Sequence, residues 1–307
     1  MMSSSMKDQS RHRRRLTLEG IVLSRYSSFY YVQSGNKTWE CRLRGKHRLK
    51  KTDVIAGDKV EFTKVNENQG VIEKIKPRTT ELYRPTVANV TQLLVVVSLK
   101  TPCPNWTLLD RLLVLGAYSN LKLIIAFNKA DLADDDSVFL AKEYEKLGYK
   151  IVFTSVKEKK GIDELQYLLD NEITVLAGLS GVGKSSLINA LEPELSLKTG
   201  EVSSKVEIGK HTTRYVQLLP LSGGGLVADT PGFSQLHLPM ELKRQELRFL
   251  FPEIAKLQQD CRFSSCLHRQ EPGCKVRENV EAGLLPKWRY DNYLEFLEEI
   301  IAQERKY

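Results

Sequence analysis

The run ITVLAGLSGVGKSSLINALEP, residues 173–193, restricts what this chain can fold into more than any other stretch. A short apolar segment of strand length leads into a glycine-rich turn with the spacing GxxxxGKS, and a helix-like stretch follows. In that context the glycines let backbone N–H groups turn inward around phosphate oxygens, at the positive end of a helix. Gly178, Leu179, Ser180, Gly181, Val182, Gly183, Lys184, Ser185 and Ser186 are the candidate phosphate-binding residues. Lys184 is placed to reach the β- and γ-phosphates and Ser185 to ligate Mg2+. The apolar strands TQLLVVVSL, LKLIIAF and KIVFTSV alternate with the helical stretches WTLLDRLLVLGAYS, VFLAKEYEKLG and GIDELQYLLD. Such alternation means a parallel α/β sheet. The later VQLLPL and GGLVADT are expected to join it as an antiparallel pair.

A phosphate loop alone does not separate ATP from GTP, but Asn128-Lys129-Ala130-Asp131 does. The Asp131 carboxylate can accept from both N1–H and the exocyclic amine of guanine, whereas adenine offers no such pair of donors. Asn128 can reach the other side of the base and Lys129 can lie across the rings. Thr154-Ser155-Val156-Lys157, also after a strand, would support the base through backbone N–H groups, with Ser155 the candidate. Asp229, in Asp229-Thr230-Pro231-Gly232, can hold Mg2+ through a water, and Gly232 can turn its N–H onto the γ-phosphate. A threonine of His211-Thr212-Thr213 should close over Mg2+ in the GTP state; the sequence leaves the choice open and Thr213 is favoured. Phe233 and Ser234 follow the glycine, so the water-positioning glutamine common near this point in GTPases is missing. Hydrolysis is therefore expected to be slow without help, and His211 is the candidate helper. The base reader precedes the phosphate loop, the reverse of the usual order, which predicts a circularly permuted domain.

The 307 residues allow two or three domains. No apolar run approaches the ~20 residues needed to span a bilayer. The start, MMSSSMKDQSRHRRR, lacks the apolar stretch of a secretory signal, so a cytoplasmic protein with no membrane partner is expected. The net charge of +8 is unevenly placed: Arg11, Arg13, Arg14, Arg15, Arg25, Arg42, Arg44, Lys46, Arg48, Lys50 and Lys51 crowd the first part of the chain. That is the footprint expected of a nucleic-acid binder. Residues 1–15 read as a disordered basic arm, for which a plain solvated tail is an equal reading. Short strands between turn signals over residues 16–80 predict a small barrel, with the OB-fold the best candidate and RNA its expected ligand. Tyr26, Phe29, Tyr30, Tyr31 and Trp39 could offer stacking surfaces, although most are expected to fill the core. Pro77 to Pro85 has the composition of a linker. Residues 81–240 then form the nucleotide domain and 241–307 a helical, polar module that opens with ELKRQELRFLFPEIAKL.

Within that module stands Cys261-x4-Cys266-x-His268-x5-Cys274. Three thiolates and an imidazole meet the tetrahedral preference of one structural zinc ion, with no position left for water. The alternative is a set of reduced thiols near a surface histidine. Cys41 and Cys103 stand alone and are expected to be small buried or half-exposed residues. Arg262, His268, Arg269 and Lys275 would make the module a second RNA-contacting surface.

The basic barrel, the order NKAD, GLSGVGKS, HTT, DTPGF, and the tail CRFSSCLHRQEPGC together resemble the RsgA (YjeQ) family of bacterial GTPases. The resemblance covers nearly the whole chain. It implies a multidomain α/β protein: an N-terminal OB-fold β-barrel, a circularly permuted P-loop GTPase domain and a C-terminal helical zinc-binding module. It also implies GTP as substrate and GDP as product, assistance in late maturation of the 30S subunit, contact with 16S rRNA, and hydrolysis stimulated by the 30S subunit. A monomer is expected. Val156 departs from the family pattern, where alanine is usual. The sequence also admits a nucleotide-gated RNA-binding module in which hydrolysis is incidental. A third reading, a GTPase serving metal or protein delivery, is disfavoured by the basic barrel.

Overall fold

The structure, a computed structural model, describes residues 16–45, 53–83, 85–195, 197, 216–228 and 237–305. The basic arm 1–15 and the site candidates His211, Thr213, Asp229 and Gly232 lie outside the described residues. The chain divides between Arg78 and Thr79 into two compact units.

The first unit is a closed five-stranded barrel of β1 (Thr17–Tyr26), β2 (Phe29–Ser34), β3 (Lys37–Leu43), β4 (Lys59–Lys64) and β5 (Gln69–Ile75), in the order β1-β2-β3-β5-β4 with β4 returning to β1. All pairs are antiparallel except β3 with β5. Alternate side chains point inward, so Val22, Val32, Cys41, Val60, Phe62 and Ile72 form the core. Tyr30 and Trp39 join them, whereas Tyr26 is exposed and Phe29 and Tyr31 are half-buried. A tight turn leads into β4: the Asp58 N–H donates to Ile55 O and its buried carboxylate accepts from the Ile55 N–H and from Arg78.

In the second unit, the end of the stretch read as a linker forms β6 (Glu81–Tyr83), which pairs with β7 (Thr86–Ala88) just past it in a small ribbon. Next come β8 (Gln92–Ser98), α1 (Trp106–Tyr118), β9 (Lys122–Asn128), α2 (Asp135–Lys146), β10 (Lys150–Thr154), α3 (Ile162–Leu169), β11 (Ile173–Ala177), α4 (Lys184–Leu191), β12 (Leu218–Pro220) and β13 (Leu226–Ala228). The sheet order is β10-β9-β8-β11-β13-β12, parallel except for the β12–β13 pair. Every residue of β8 and β11 is buried, as strands covered on both faces require. The chain runs outward from β8 to β10 and then returns to β11 on the other side of β8. That reversal opens a crevice at the carboxyl ends of the strands, where ligands bind in such sheets.

After His237 the expected helical stretch is broken. A 3-10 turn at Leu247–Leu250 precedes a short α5 (Pro252–Leu257), because Pro252 has no N–H to extend a helix backward and suits its first turn. Then follow α6 (Lys275–Glu281) and α7 (Lys287–Glu304). Phe251, Ile254, Tyr293, Phe296 and Ile300 share one core with Val114 of α1. The interface also encloses charge. Arg289 and Asp110 are fully buried and ion-paired, Arg289 Nε donates to Glu253 Oε1 at 2.7 Å, and Asp110 accepts from Tyr144 and Asn292. Burial pushes the Asp110 carboxyl above its ordinary range, against the pull of Arg289.

Candidate nucleotide and metal sites

The glycine-rich turn leaves β11 and enters α4. Gly178 has φ +140°, and a Cβ there would meet Val96 O of β8 at 2.2 Å. Gly183, at φ +101°, would drive a Cβ to 2.3 Å from Asn128 Nδ2. Both positions therefore need glycine for conformation and for clearance. The Lys184 ammonium donates to Gly178 O and Leu179 O, each at 2.9 Å, which lays it over the loop. Leu179, Ser180 and Gly181 are exposed, Val182 is buried, and Ser185 and Ser186 occupy the first turn of α4.

The candidate base-reading residues lie at the carboxyl ends of β9 and β10 and are tied to this loop. Asn128 is buried; its Nδ2 donates to Val182 O at 2.9 Å and its Oδ1 accepts from Thr154 Oγ1 at 3.1 Å. Lys129, at φ 58°, donates to Gly181 O at 2.8 Å and also to Thr101 O. Asp131 Oδ1 accepts from Ser155 Oγ at 2.6 Å, and Ser155 Oγ in turn accepts the Glu158 N–H. Paired N–H···O bonds between Ser155 and Lys160 close that loop. Asn128, Lys129, Asp131, Ser155 and residues 178–186 are thus brought to one end of the sheet. Of the Mg2+ candidates only Ser185 is described; β13 ends at Ala228, one residue before Asp229. Sequence reasoning missed the Thr154 hydroxyl and the Thr101 carbonyl as supports. A backbone carbonyl leaves no signature in a sequence, and the Thr154 hydroxyl shows its use only when β9 and β10 pair.

The second cluster joins Cys261, Cys266, His268 and Cys274, whose ligand atoms all lie within 4.8 Å of one another. His268 Nδ1 is 3.4 Å from Cys274 Sγ and 3.7 Å from Cys261 Sγ. A tetrahedral zinc ion with Zn–S of about 2.3 Å and Zn–N of about 2.0 Å spaces its donors roughly 3.5–3.8 Å apart, so these four residues fit one. The surroundings hold the loop in shape. Arg248 donates to Ser264 O and Cys266 O, Tyr293 to Leu267 O, and Tyr290 to His268 O, while the Glu271 carboxylate accepts the N–H groups of Leu267, Arg269 and Gln270. Burial pushes the Cys266 thiol up to about 12 and the His268 imidazole down to about 4. A metal entering the cluster would therefore find a neutral imidazole and displace thiol protons.

The sequence model of the RsgA GTPase matches residues 75–239, and that of the RsgA N-terminal domain matches residues 19–72. The small ribosomal subunit biogenesis GTPase RsgA of Moorella thermoacetica is 50% identical over 290 residues, covering 94% of this chain and 100% of the relative. Its namesake from Carboxydothermus hydrogenoformans is 46% identical over 289 residues, covering 94% and 99%. Among solved structures, YjeQ from Thermotoga maritima superposes with a TM-score of 0.81 at 39% identity, over 93% of this chain and 99% of that one. YloQ, described as a circularly permuted GTPase, gives 0.80 at 37% identity, over 95% and 98%.

Proposed function

The chain belongs to the RsgA GTPase family and is a GTPase, and we propose that it serves late maturation of the 30S ribosomal subunit in the cytoplasm. In this reading it acts as a monomer, grips 16S rRNA through the barrel and the Cys/His module, and is stimulated by the 30S subunit. One observation carries the nucleotide assignment: Asn128 and Lys129 bond directly to Val182 O and Gly181 O. The proposed base reader and phosphate cradle are thereby bonded to each other, although the chain presents them in permuted order.

In hydrolysis a water oxygen bonds to the γ-phosphorus as the bond to the β–γ bridging oxygen breaks, and the water's proton passes to phosphate or solvent. Asp131 would take guanine N1–H and the exocyclic amine, with Ser155 fixing its second role as an acceptor. Lys184 would leave the loop carbonyls for the β- and γ-phosphate oxygens. Ser185, Thr213 and Asp229 would hold Mg2+, which when bound offsets the phosphate charge. Gly232 would donate its N–H to the γ-phosphate. With Phe233 after that glycine, no glutamine aligns the water. His211 is the proposed helper, and the 30S subunit would supply the rest. One zinc ion on Cys261, Cys266, His268 and Cys274 would be structural.

RNA is favoured as the partner by the barrel surface, where Lys37 and Arg42 are exposed cations lying 4.6 Å from the Trp39 and Phe29 ring centroids respectively. Among the described residues no helix is long and apolar enough to cross a membrane. The test is GTP turnover measured alone, with purified 30S and with purified 50S subunits. Stimulation by 30S alone is expected; a rate indifferent to 30S overturns the reading. The absent glutamine favours one rival, an RNA-binding module gated by nucleotide. Full maturation activity by Lys184→Ala would support that rival.

A further inference from the structure

The four residues after Val156 read Lys-Glu-Lys-Lys, and the nucleotide reading uses none of their side chains. They form a tight loop between β10 and α3 whose shape is fixed at both ends. Ser155 and Lys160 exchange N–H···O bonds at 3.0 Å, the Lys159 N–H donates to Val156 O, and the Glu158 N–H donates to Ser155 Oγ. At the exit, a Cβ on Gly161 would meet Phe153 O at 2.1 Å, so the chain turns there only with glycine. Lys157, Lys159 and Lys160 are all exposed, and among the described residues no carboxylate pairs with any of them. Neighbouring lysines differ: Lys100, Lys122, Lys146 and Lys150 are ion-paired to Asp134, Glu172, Glu143 and Glu164. Val156 packs into the core beneath, which leaves the loop no exposed apolar side chain.

Lys159 adds a second observation. It holds a left-handed backbone at φ 55°, a conformation that residues other than Asn and Asp seldom take. Among the described residues the other non-glycine cases are Ser27, three asparagines, Lys129 and His268. Lys129 and His268 belong to the candidate nucleotide and metal sites, the kind of place where unusual backbone gathers. Lys159 is the remaining long side chain held in this way.

We propose that Lys157, Lys159 and Lys160 form a nucleic-acid contact of the nucleotide domain itself, taking the phosphates of an RNA strand beside the guanine site. The proposal rests on the RNA reading and extends it to a surface outside the barrel and the Cys/His module. The Cα atoms of Lys157 and Lys160 are at most about 11 Å apart, a length over which one strand presents about three phosphates. Ammonium groups serve phosphate as point charges. Without an apolar anchor the loop has little to offer a protein surface or a bilayer. Ser155 opens this loop and holds Asp131, so RNA bound here would lie next to the residue that supports the base reader.

The test measures binding of the full chain to purified 30S subunits across a salt series, with fluorescent GDP affinity of the free chain as the check on loop shape. Lys159→Asn with Lys160→Gln removes two charges, and asparagine tolerates the left-handed backbone. This variant is expected to keep GDP affinity within about twofold, to lose about tenfold in 30S affinity and to flatten the log–log salt slope by about 1.4 to 1.8. Lys159→Arg with Lys160→Arg is expected to bind 30S subunits as the parent does. Lys160→p-azidophenylalanine, irradiated in the complex, is expected to cross-link to 16S rRNA. Unchanged affinity and slope in the neutral variant would overturn the proposal, and so would a weaker affinity with an unaltered slope. Cross-links to ribosomal protein alone would also overturn it, assigning the loop to an acidic protein surface. If the neutral variant loses GDP affinity as well, its loop has moved and the arginine pair decides. Parent-like 30S binding by that pair upholds the contact, and a loss as large as the neutral variant's overturns it. A parent chain that binds no 30S subunit would sink the RNA reading itself, an outcome recognisable without any variant.

Discussion

Asp131 shows how much one side chain decides. Its carboxylate is held by the Ser155 hydroxyl at 2.6 Å, which fixes the orientation in which it would meet guanine. An amide there would present a donor to the guanine amine, leaving two donors opposed. Asp131→Asn is therefore expected to weaken GTP by about two orders of magnitude, roughly 2.7 kcal/mol, in nucleotide titration. The same amide can donate to the 2-oxo group of xanthine, so XTP should gain where GTP loses. Equal loss for both would show that Asp131 acts on loop structure and not on the base. Asn128, Lys129 and Asp131 were legible as candidates because guanine edges call for those groups in that spacing. Their supports were not. The carbonyls of Val182, Gly181 and Thr101 become partners only when β9 and β11 lie in one sheet, and Thr154 meets Asn128 only across a strand pair.

At the level of elements, the most consequential contact is α1 against α7, and it left no trace in periodicity. Arg289 sits fully buried between Asp110, Glu253 and Tyr149. Removing one partner of a buried pair strands the other charge and costs about 3–5 kcal/mol. Arg289→Met is thus expected to lower the midpoint of chemical denaturation sharply. Adding Asp110→Asn should recover part of that loss, because the stranded carboxylate is gone; strictly additive losses would contradict the network. The Cys/His loop makes a parallel case. Its backbone is clasped by Arg248, Tyr290, Tyr293 and Glu271, and its four donors surround one point. Chelation is expected to release one zinc per chain, measured by a chromogenic chelator, and to lower thermal stability while GDP affinity stays within about twofold. Zinc-free protein of unchanged stability would refute a structural ion. The cluster of these four residues was readable because cysteine and histidine are rare and here tightly grouped. The β6–β7 ribbon was not readable: its three-residue strands are too short to show alternation, and Pro77 and Pro85 imitate a linker.

For the whole molecule, the chain divides at Arg78 into two compact units, and the proposed roles divide with it. Every described candidate for the nucleotide site lies in the second unit, and the barrel closes on a core of its own. Changing the barrel surface should therefore leave basal chemistry alone and alter only what a partner adds. Lys37 and Arg42 are exposed on β3, and Arg42 lies over the half-buried Phe29 ring. In the full chain, joint Lys37→Glu and Arg42→Glu substitution is expected to keep basal GTP turnover within about twofold of the parent. Stimulation by the 30S subunit should fall at low subunit concentration and return in part when the subunit is raised, since affinity and not turnover is lost. Salt supplies the independent check. Each phosphate contact to a single strand contributes a slope of about −0.7 in log affinity against log salt. Losing two contacts should flatten that slope by about 1.4, measured as 30S binding across a salt series. A weakened affinity with an unaltered slope would mean that these cations support the barrel without touching phosphate. A fall in basal turnover would mean that the units are not independent, and the division of labour would have to be abandoned. Stimulation lost with the predicted slope change, at constant basal rate, would instead place RNA recognition in the barrel and the chemistry wholly in the permuted domain.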